Sequence, residues 1–511
     1  MKKIGLFILS VLAVSFSNAQ DITDALRYST NQLSGTARYR AMSGAFGALG
    51  GDLSAMATNP AGSAVFSTGE IAISLTSYNN DNDASYFGTA TNASDSAFDI
   101  GQAGAVFVFD NTGNSDWTKF SLGFNYQNVN NFNDNLFVAG IGTTSVDQYF
   151  LTYAQGLDIA NISAQPGESL TEAYIDIGRA FGFGHQQAFL GYESFILDLD
   201  PSGNGIDEYI SNASYASGVD QEYSYATSDY NRKFTFNLAA QYKENLYLGL
   251  NLNSHVVDYR RSTFISEIGF DRVNDFSVTE IEFANELYTY GTGFSFQAGA
   301  IAKVNDDVRL GVSYQSPTWY RLNDELSQAV RVFTVDPVDI NDPSLDFEDV
   351  VAPNVITLFD DYRLRTPGEL TGSFAYIFGK QGLISFDYTR KDFGSAEFKQ
   401  NTGFNAENTL ISNSLKATNN YRLGAEYRIE AFSLRGGYRF EESPYENGST
   451  IGDLTGFSVG AGYSFGGWKL DLAYDQAQQE RNQQLFNVGL TDTAFVDNIN
   501  SNVTLTLTLK L

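Results

Sequence analysis

The tightest constraint on this chain lies at its C-terminal end. Val503, Leu505, Leu507, Leu509 and Leu511 occupy one parity; Thr504, Thr506, Thr508 and Lys510 occupy the other. A period of two marks a strand with unlike faces. The same alternation sets Ile71, Ile73 and Leu75 against Ala72, Ser74 and Thr76, and Leu246, Leu248, Leu250 and Leu252 against Tyr247, Gly249, Asn251 and Asn253. Near the C-terminus charges fill the polar parity: Arg422, Glu426 and Arg428, then Arg435 and Arg439, then Lys469, Asp471 and Asp475.

A soluble sandwich would alternate too, so the connections must discriminate. Strands are expected at 69–78, 99–109, 118–129, 221–242, 246–261, 289–304, 308–322, 363–378, 382–396, 416–429, 432–441, 456–465, 468–479 and 502–511, fourteen in all. The gaps after even-numbered strands are short: 110–117, 243–245, 305–307, 379–381, around Glu430, and 466–467. Those after odd-numbered strands are long: 79–98, 130–220, 262–288, 323–362, 397–415, 442–455 and 480–501. Short turns at one end and long loops at the other is the rule of outer-membrane barrels. The expected fold is therefore all-β, a 14-stranded antiparallel transmembrane β-barrel over 69–511. The insertion at 130–220 is read as an extracellular cap. Within it 146–159 and 170–183 look amphipathic and helical, and 187–197, which could pass for a strand, is placed inside the loop because a fifteenth strand would break the parity.

Composition agrees. Aromatic residues make up 14 % of the chain, with 40 Phe and 30 Tyr, which favours strands. There is no Cys, which removes disulfides, thiolate metal sites and a cysteine nucleophile, and two His are too few for a histidine metal cluster; no cofactor is expected. A net charge of −29 disfavours nucleic acid as a partner. At the N-terminus, Met1-Lys2-Lys3, the apolar stretch 4–16 and Ser17-Asn18-Ala19 read as a secretory signal peptide over 1–19, with Gln20 opening the mature chain. No later window is apolar enough for a membrane helix, so a membrane form must be a barrel.

Residues 20–68 precede the first strand. They are rich in small residues and carry Leu33, Met42, Phe46, Leu49, Met56 and Phe66. A fourteen-stranded barrel is wider than one that wall side chains can fill, so this segment is expected to fold into the lumen as a hatch. Here a resemblance enters. The run 34–66, with Arg38-Tyr39-Arg40-Ala41-Met42 leading into Asn59-Pro60-Ala61, resembles the N-terminal hatch of the FadL/TodX transporters, and Asn59, Pro60 and Ala61 match that family's NPA motif. Arg365-Thr366-Pro367-Gly368-Glu369-Leu370 resembles the start of its eighth strand. The resemblance implies passive uptake of long-chain fatty acids or related apolar molecules across the bacterial outer membrane. In the family, cargo is captured among extracellular loops and released sideways at a kink in the third strand, which the hatch contacts. The chain departs from the family in its longer 130–220 loop and in ending at Leu511 rather than an aromatic residue.

Apolar cargo needs apolar capture surface, since each buried methylene returns about 0.8 kcal/mol. Phe264, Ile268 and Phe270 in the third long loop, and Phe333, Phe347 and Phe359 in the fourth, are candidates for it. Parity from Asn251 and Asn253 turns His255, Tyr259 and Arg261 inward, with Arg261 the candidate cation for a carboxylate head group. Asn59-Pro60-Ala61 is expected to pin the hatch against the wall. The partners expected are an apolar small molecule, outer-membrane lipid and lipopolysaccharide, around a monomer. A receptor on the same barrel, for haem through His255 or for a surface ligand, is the alternative reading. Catalysis is not expected: Gly456-Phe457-Ser458-Val459-Gly460 fits G-x-S-x-G but lies within an alternating strand rather than at a strand–turn–helix junction.

Overall fold

The computed structural model describes residues 20–203, 205–274, 276–336, 338–399 and 403–511. The expected signal peptide, 1–19, lies outside the described residues. The wall is built from β1 (Glu70–Tyr86), β2 (Thr89–Asp110), β3 (Trp117–Asn131), β4 (Val219–Tyr242), β5 (Leu246–Ile268), β6 (Val278–Lys303), β7 (Val308–Gln315), β8 (Glu369–Phe378), β9 (Gly382–Asp392), β10 (Ala417–Ile429), β11 (Phe432–Glu441), β12 (Ile451–Phe465), β13 (Trp468–Gln484) and β14 (Thr493–Lys510). Each pairs antiparallel with the next, and β14 closes on β1 from Glu70↔Lys510 to Ser85↔Phe495. The fourteen-strand barrel is as expected, and the alternation of short and long connections holds at every connection but the first, where a two-residue turn joins β1 to β2.

Closure gives every wall strand a partner on each side, with the ladder interrupted where β2 parts from β3. What drives it is the pattern of side chains. Ile71, Ile73, Leu75, Leu470, Leu472, Val503, Leu505 and Leu507 stand outward and exposed, while Ser74, Thr76, Asp471, Thr504 and Thr506 are buried toward the lumen. A lipid-facing band outside and a polar lining inside is the transmembrane barrel arrangement.

Several strands run further than the alternation showed. The loop expected at 79–98 is mostly strand: β1 continues to Tyr86, β2 begins at Thr89, and Phe87 (φ 44°) and Gly88 (φ 85°) make the turn. Asn79, Asn80, Asp81, Asn82 and Asp83 are polar on both faces, so nothing in that stretch alternates, yet the ladder of backbone hydrogen bonds carries on. β5, β6, β12, β13 and β14 are lengthened at their long-connection ends in the same way.

Other strands are shorter. The expected strand 308–322 breaks at Ser316-Pro317-Thr318 and resumes as Trp319–Thr334; 363–378 breaks at Thr366-Pro367-Gly368 after Tyr362–Arg365. Proline has no N–H to give the ladder. β9 ends at Asp392 in a 3₁₀ turn, Phe393–Ser395.

At the long-connection end the second loop forms a cap. It carries helices over Asp147–Ala154, Leu170–Phe181 and Phe183–Glu193, the last replacing the possible strand at 187–197, and a small sheet of Leu197–Leu199 on Tyr209–Ser211. Phe150, Ile162 and Phe189 pack with Phe283, Val332 and Val496 from the barrel strands into one core.

Candidate transport path through the lumen and wall

Residues 20–68 fill the lumen. They form short helices α1 (Ile22–Arg27), α2 (Ala37–Arg40) and α3 (Ala55–Thr58) and a 3₁₀ turn, Pro60–Val65. The wall receives them with polar side chains and with missing ones. Arg40, fully buried, makes a two-pronged pair with Asp475 at 2.7 and 3.0 Å. Arg38 pairs with Glu426 at 2.8 Å. The N–H groups of Phe46 and Gly47 donate to the Asp387 carboxylate at 3.0 Å. Two glycine windows let backbone approach backbone. Gly249 and Gly299 face each other across β5 and β6, and a methyl group on them would lie 2.3 Å from the Pro60 carbonyl carbon and 2.1 Å from Asn59 Oδ1. Gly424 and Gly437 face each other under Met42.

Asn59-Pro60-Ala61 is thus seated on a wall made to accept it. Asn59 Nδ2 donates to Gly47 O at 2.8 Å and to Ala300 O at 3.0 Å, its Oδ1 accepts from Ala61 N–H, and Asn237 Nδ2 donates to Pro60 O at 2.9 Å.

The third strand is irregular. Its register with β4 shifts between Asn128 and Asn130, the strand breaks at Phe132-Asn133, and it resumes as Asp134–Gly142, still on β4. β2 pairs with β3 only from Asp110↔Lys119 up to Gln102↔Gln127. Above that, β2 pairs with β1 alone. The seam opens, and higher up side chains rejoin it: Asn82 Nδ2 donates to Asn135 O at 2.8 Å and Asn135 Nδ2 to Asp95 at 3.0 Å. The result is a window in the wall. Asp99 spans it, accepting from Asn128 at 3.3 Å and pairing with Arg232 at 3.2 Å, and Phe98 and Ile100 stand outward on its rim. The hatch lies against its inner side. Gln32 N–H donates to Val129 O at 3.1 Å, Asn130 Nδ2 to Thr30 O at 2.9 Å, and Gln127 Nε2 to Ser34 O at 2.9 Å.

Two cavities lead there. An upper one of about 460 Å³ lies under the cap, lined by Tyr149, Phe183, Tyr223, Leu287, Leu326 and Phe486 with Arg261. A lower one of about 390 Å³ reaches Asn131, Phe132, Asn133 and Asp134 behind the window. They meet at Arg27, Tyr225 and Arg481, which line both. Arg27 pairs with Asp24 and lies over the Tyr259 ring, 4.1 Å from its centroid. Among the described residues Arg261 has no ion-pair partner. The passage is of mixed character: aromatic and aliphatic side chains stand among charged groups and amides such as Asn285, Gln328, Gln479 and Asn500, with Arg261 on the upper lining.

The residues expected at a site divide. Tyr259 lines the lower cavity and Arg261 the upper one. His255 points inward but is held by Ser295 Oγ at 3.1 Å and Tyr320 at 3.3 Å, and it lines neither cavity, nor does His185. Phe264 and Ile268 extend β5 on its outward parity and are exposed. Phe270 is buried in the cap core against Tyr215. Phe333 lies half-buried under Arg331, Phe347 is exposed on the strand Phe347–Val351, and Phe359 packs near Phe183. These six do not form one capture groove: Phe264, Ile268, Phe333 and Phe347 lie in strands rather than loops, while Phe270 is taken up by the cap core and Phe359 packs apart from it. The sequence reading missed Arg27, whose contacts are set by the hatch's course; the irregular third strand was expected from the resemblance alone, and the local signal for it is the turn-forming run Asn128, Asn130, Asn131, Asn133, Asp134.

Comparison with known proteins bears on this geometry. The family model described as outer membrane protein transport protein (OMPP1/FadL/TodX) matches residues 232–505. Among solved structures, a Pseudomonas aeruginosa FadL homologue is similar at a TM-score of 0.51 and 14% identity, over 94% of this chain and 99% of that one. The Pseudomonas putida toluene transporter TodX aligns at 0.49 and 13%, and the Ralstonia pickettii toluene transporter TbuX at 0.45 and 15%, each over 94% of this chain and 99% of its own. No curated protein matches the sequence.

Proposed function

The chain belongs to the outer membrane protein transport family (OMPP1/FadL/TodX), whose members carry hydrophobic compounds across the bacterial outer membrane, and from that premise we propose that it takes up long-chain fatty acids or related apolar molecules and releases them sideways into the membrane. The observation that carries this reading is the continuity of the path. An upper cavity under the cap, with Tyr223, Leu287, Leu326 and Phe486 in its lining, meets a lower one at Arg27 and Tyr225, and the lower one ends behind a window that opens between β2 and β3 at the level of the lipid-facing Leu75, Ile100 and Phe98. Such a route spares an apolar chain the polar foot of the lumen, where Arg38, Glu426, Arg435, Lys469 and Asp471 crowd together. Arg261 would hold a carboxylate head while the tail lies among Tyr223, Leu287 and Leu326.

Passive uptake, export under a cleaved signal peptide, contact with lipopolysaccharide at the rim and a monomeric state complete the proposal. The test is to staple the window. The chain has no native Cys, so Asp99→Cys with Asn128→Cys places the only two thiols across it, for a short thiol-to-thiol crosslinker. Crosslinking is expected to stop uptake of a radiolabelled fatty acid by cells while leaving its binding to the purified protein intact. Uptake that continues through a fully crosslinked barrel would refute lateral release.

A further inference from the structure

We propose that a further chamber in the lumen, adjoining the lower cavity along Thr30, Leu33, Phe393, Asn420 and Glu441, binds a small oxyanion of the phosphate class. The chamber, about 110 Å³, lies beneath hatch residues 30–34, and its charged lining is Lys233, Glu369, Lys391, Arg422 and Glu441. Two of the three cations are answered. Lys391 stands 3.4 Å from Glu369 and Arg422 stands 3.6 Å from Glu441. Lys233 is only 8 % exposed, and among the described residues no carboxylate lies within ion-pair distance of it. An unpaired ammonium in such a place is costly and calls for a counter-ion.

Three more polar groups on the same lining are buried without a partner: Arg422 Nε, Gln127 Oε1 and Asn420 Oδ1. The Gln127 amide cannot simply be turned round, because its Nε2 donates to Ser34 O. The occupant must therefore accept hydrogen bonds from an ammonium and a guanidinium, and donate to the Gln127 amide oxygen. Chloride, sulfate and a carboxylate only accept. Water donates but leaves the excess positive charge unanswered. Hydrogen phosphate accepts through its oxygens and donates through its hydroxyl, and it brings the missing negative charge. Gln127 belongs to the third strand beside the window, while Thr30 and Ser34 belong to the hatch. A bound oxyanion would thus tie the hatch to the irregular strand. This inference does not depend on the identity of the cargo.

The experiment uses the full mature chain in detergent micelles near neutral pH, titrated with inorganic phosphate at constant ionic strength against chloride. Binding is read from the width of the ³¹P resonance and from the thermal unfolding midpoint. Phosphate is expected to broaden the line and raise the midpoint saturably, and sulfate to bind at least tenfold more weakly. Lys233→Met is expected to abolish both effects, and Lys380→Met, in a turn at the barrel's foot, to change neither. Should phosphate and chloride behave alike in the unaltered protein, or Lys233→Met keep the full response, the site is refuted. Sulfate binding as tightly as phosphate would overturn the assignment to a donating oxyanion. The sulfate comparison needs no variant, so the proposal stays testable if Lys233→Met fails to fold.

Discussion

The Arg40–Asp475 pair gives the sharpest test of how the lumen is closed. Replacing Asp475 with Ala leaves Arg40 buried with no counter-charge, for its side chain is fully enclosed and its Nη1 has no hydrogen-bond partner even in the intact pair. Asn502, whose Nδ2 donates to Asp475 at 2.9 Å, offers no negative charge to take over. Breaking a buried pair from one side costs about 3–5 kcal/mol. A displaced hatch returns Arg40 to water, so nearly all of that cost falls on the closed state. At about 1.4 kcal/mol per factor of ten, the displaced population rises by roughly 100-fold to several thousand-fold. Planar-bilayer recording reads this directly. The intact protein is expected to be nearly silent, and Asp475→Ala to show frequent ion-conducting openings, little altered by salt because the pair is shielded from it. Combining Arg40→Met with Asp475→Leu removes both charges and should restore most of the silence. A single variant as quiet as the parent, or a double variant as leaky as the single one, would refute the reasoning.

Three other outcomes follow from the same contacts. Gly249→Ala drives a methyl group into the Pro60 backbone and should lower the unfolding midpoint, with overpacking worth about 1–3 kcal/mol, whereas Gly372→Ala, which meets nothing within 4 Å, should leave it unchanged in the same calorimetric scan. On the strand Trp319–Thr334, Gln328 exchanges amide hydrogen bonds with Gln187 of the cap at 2.7 and 3.0 Å and accepts from the cap's Tyr174 at 3.1 Å. Gln328→Leu strands those partners, at about 1–3 kcal/mol, and should speed proteolytic nicking within 143–218 while the barrel stays intact. Burial also holds the cap's Asp147 above the usual carboxylate range. Its stabilising contribution is full at low pH and is lost as pH rises through its folded-state value, so Asp147→Asn should flatten the pH dependence of cap nicking over that interval.

Much of the wall was legible in the sequence because lipid imposes it. Leu505 and Thr506 must face opposite ways, and a sandwich has no reason to keep a parity of short and long connections. Above the lipid that signal fades, since Asn79 to Asp83 have no apolar face to alternate, and β1 and β2 looked shorter than they are. Arg261 and Tyr259 were placed correctly by parity. Phe264 obeys the same parity and so faces outward, but treating 262–288 as loop set the rule aside. Arg27 could not be found by any local pattern, since it meets Tyr259 only once the hatch has been threaded through the lumen. The window was legible in part: proline and asparagine mark where a ladder fails, not what the gap opens onto.

The most direct measurement of the central claim is photocrosslinking with a long-chain fatty acid bearing a diazirine on its tail, taken up by cells and mapped by mass spectrometry of the barrel. The account expects labels on Tyr223, Leu287 and Leu326 under the cap, on Phe132 and Val129 behind the window, and on Phe98 and Ile100 at its outer rim. Labels that instead run down the lumen to Lys469 and Lys510 at the foot, with none at the window, would contradict it.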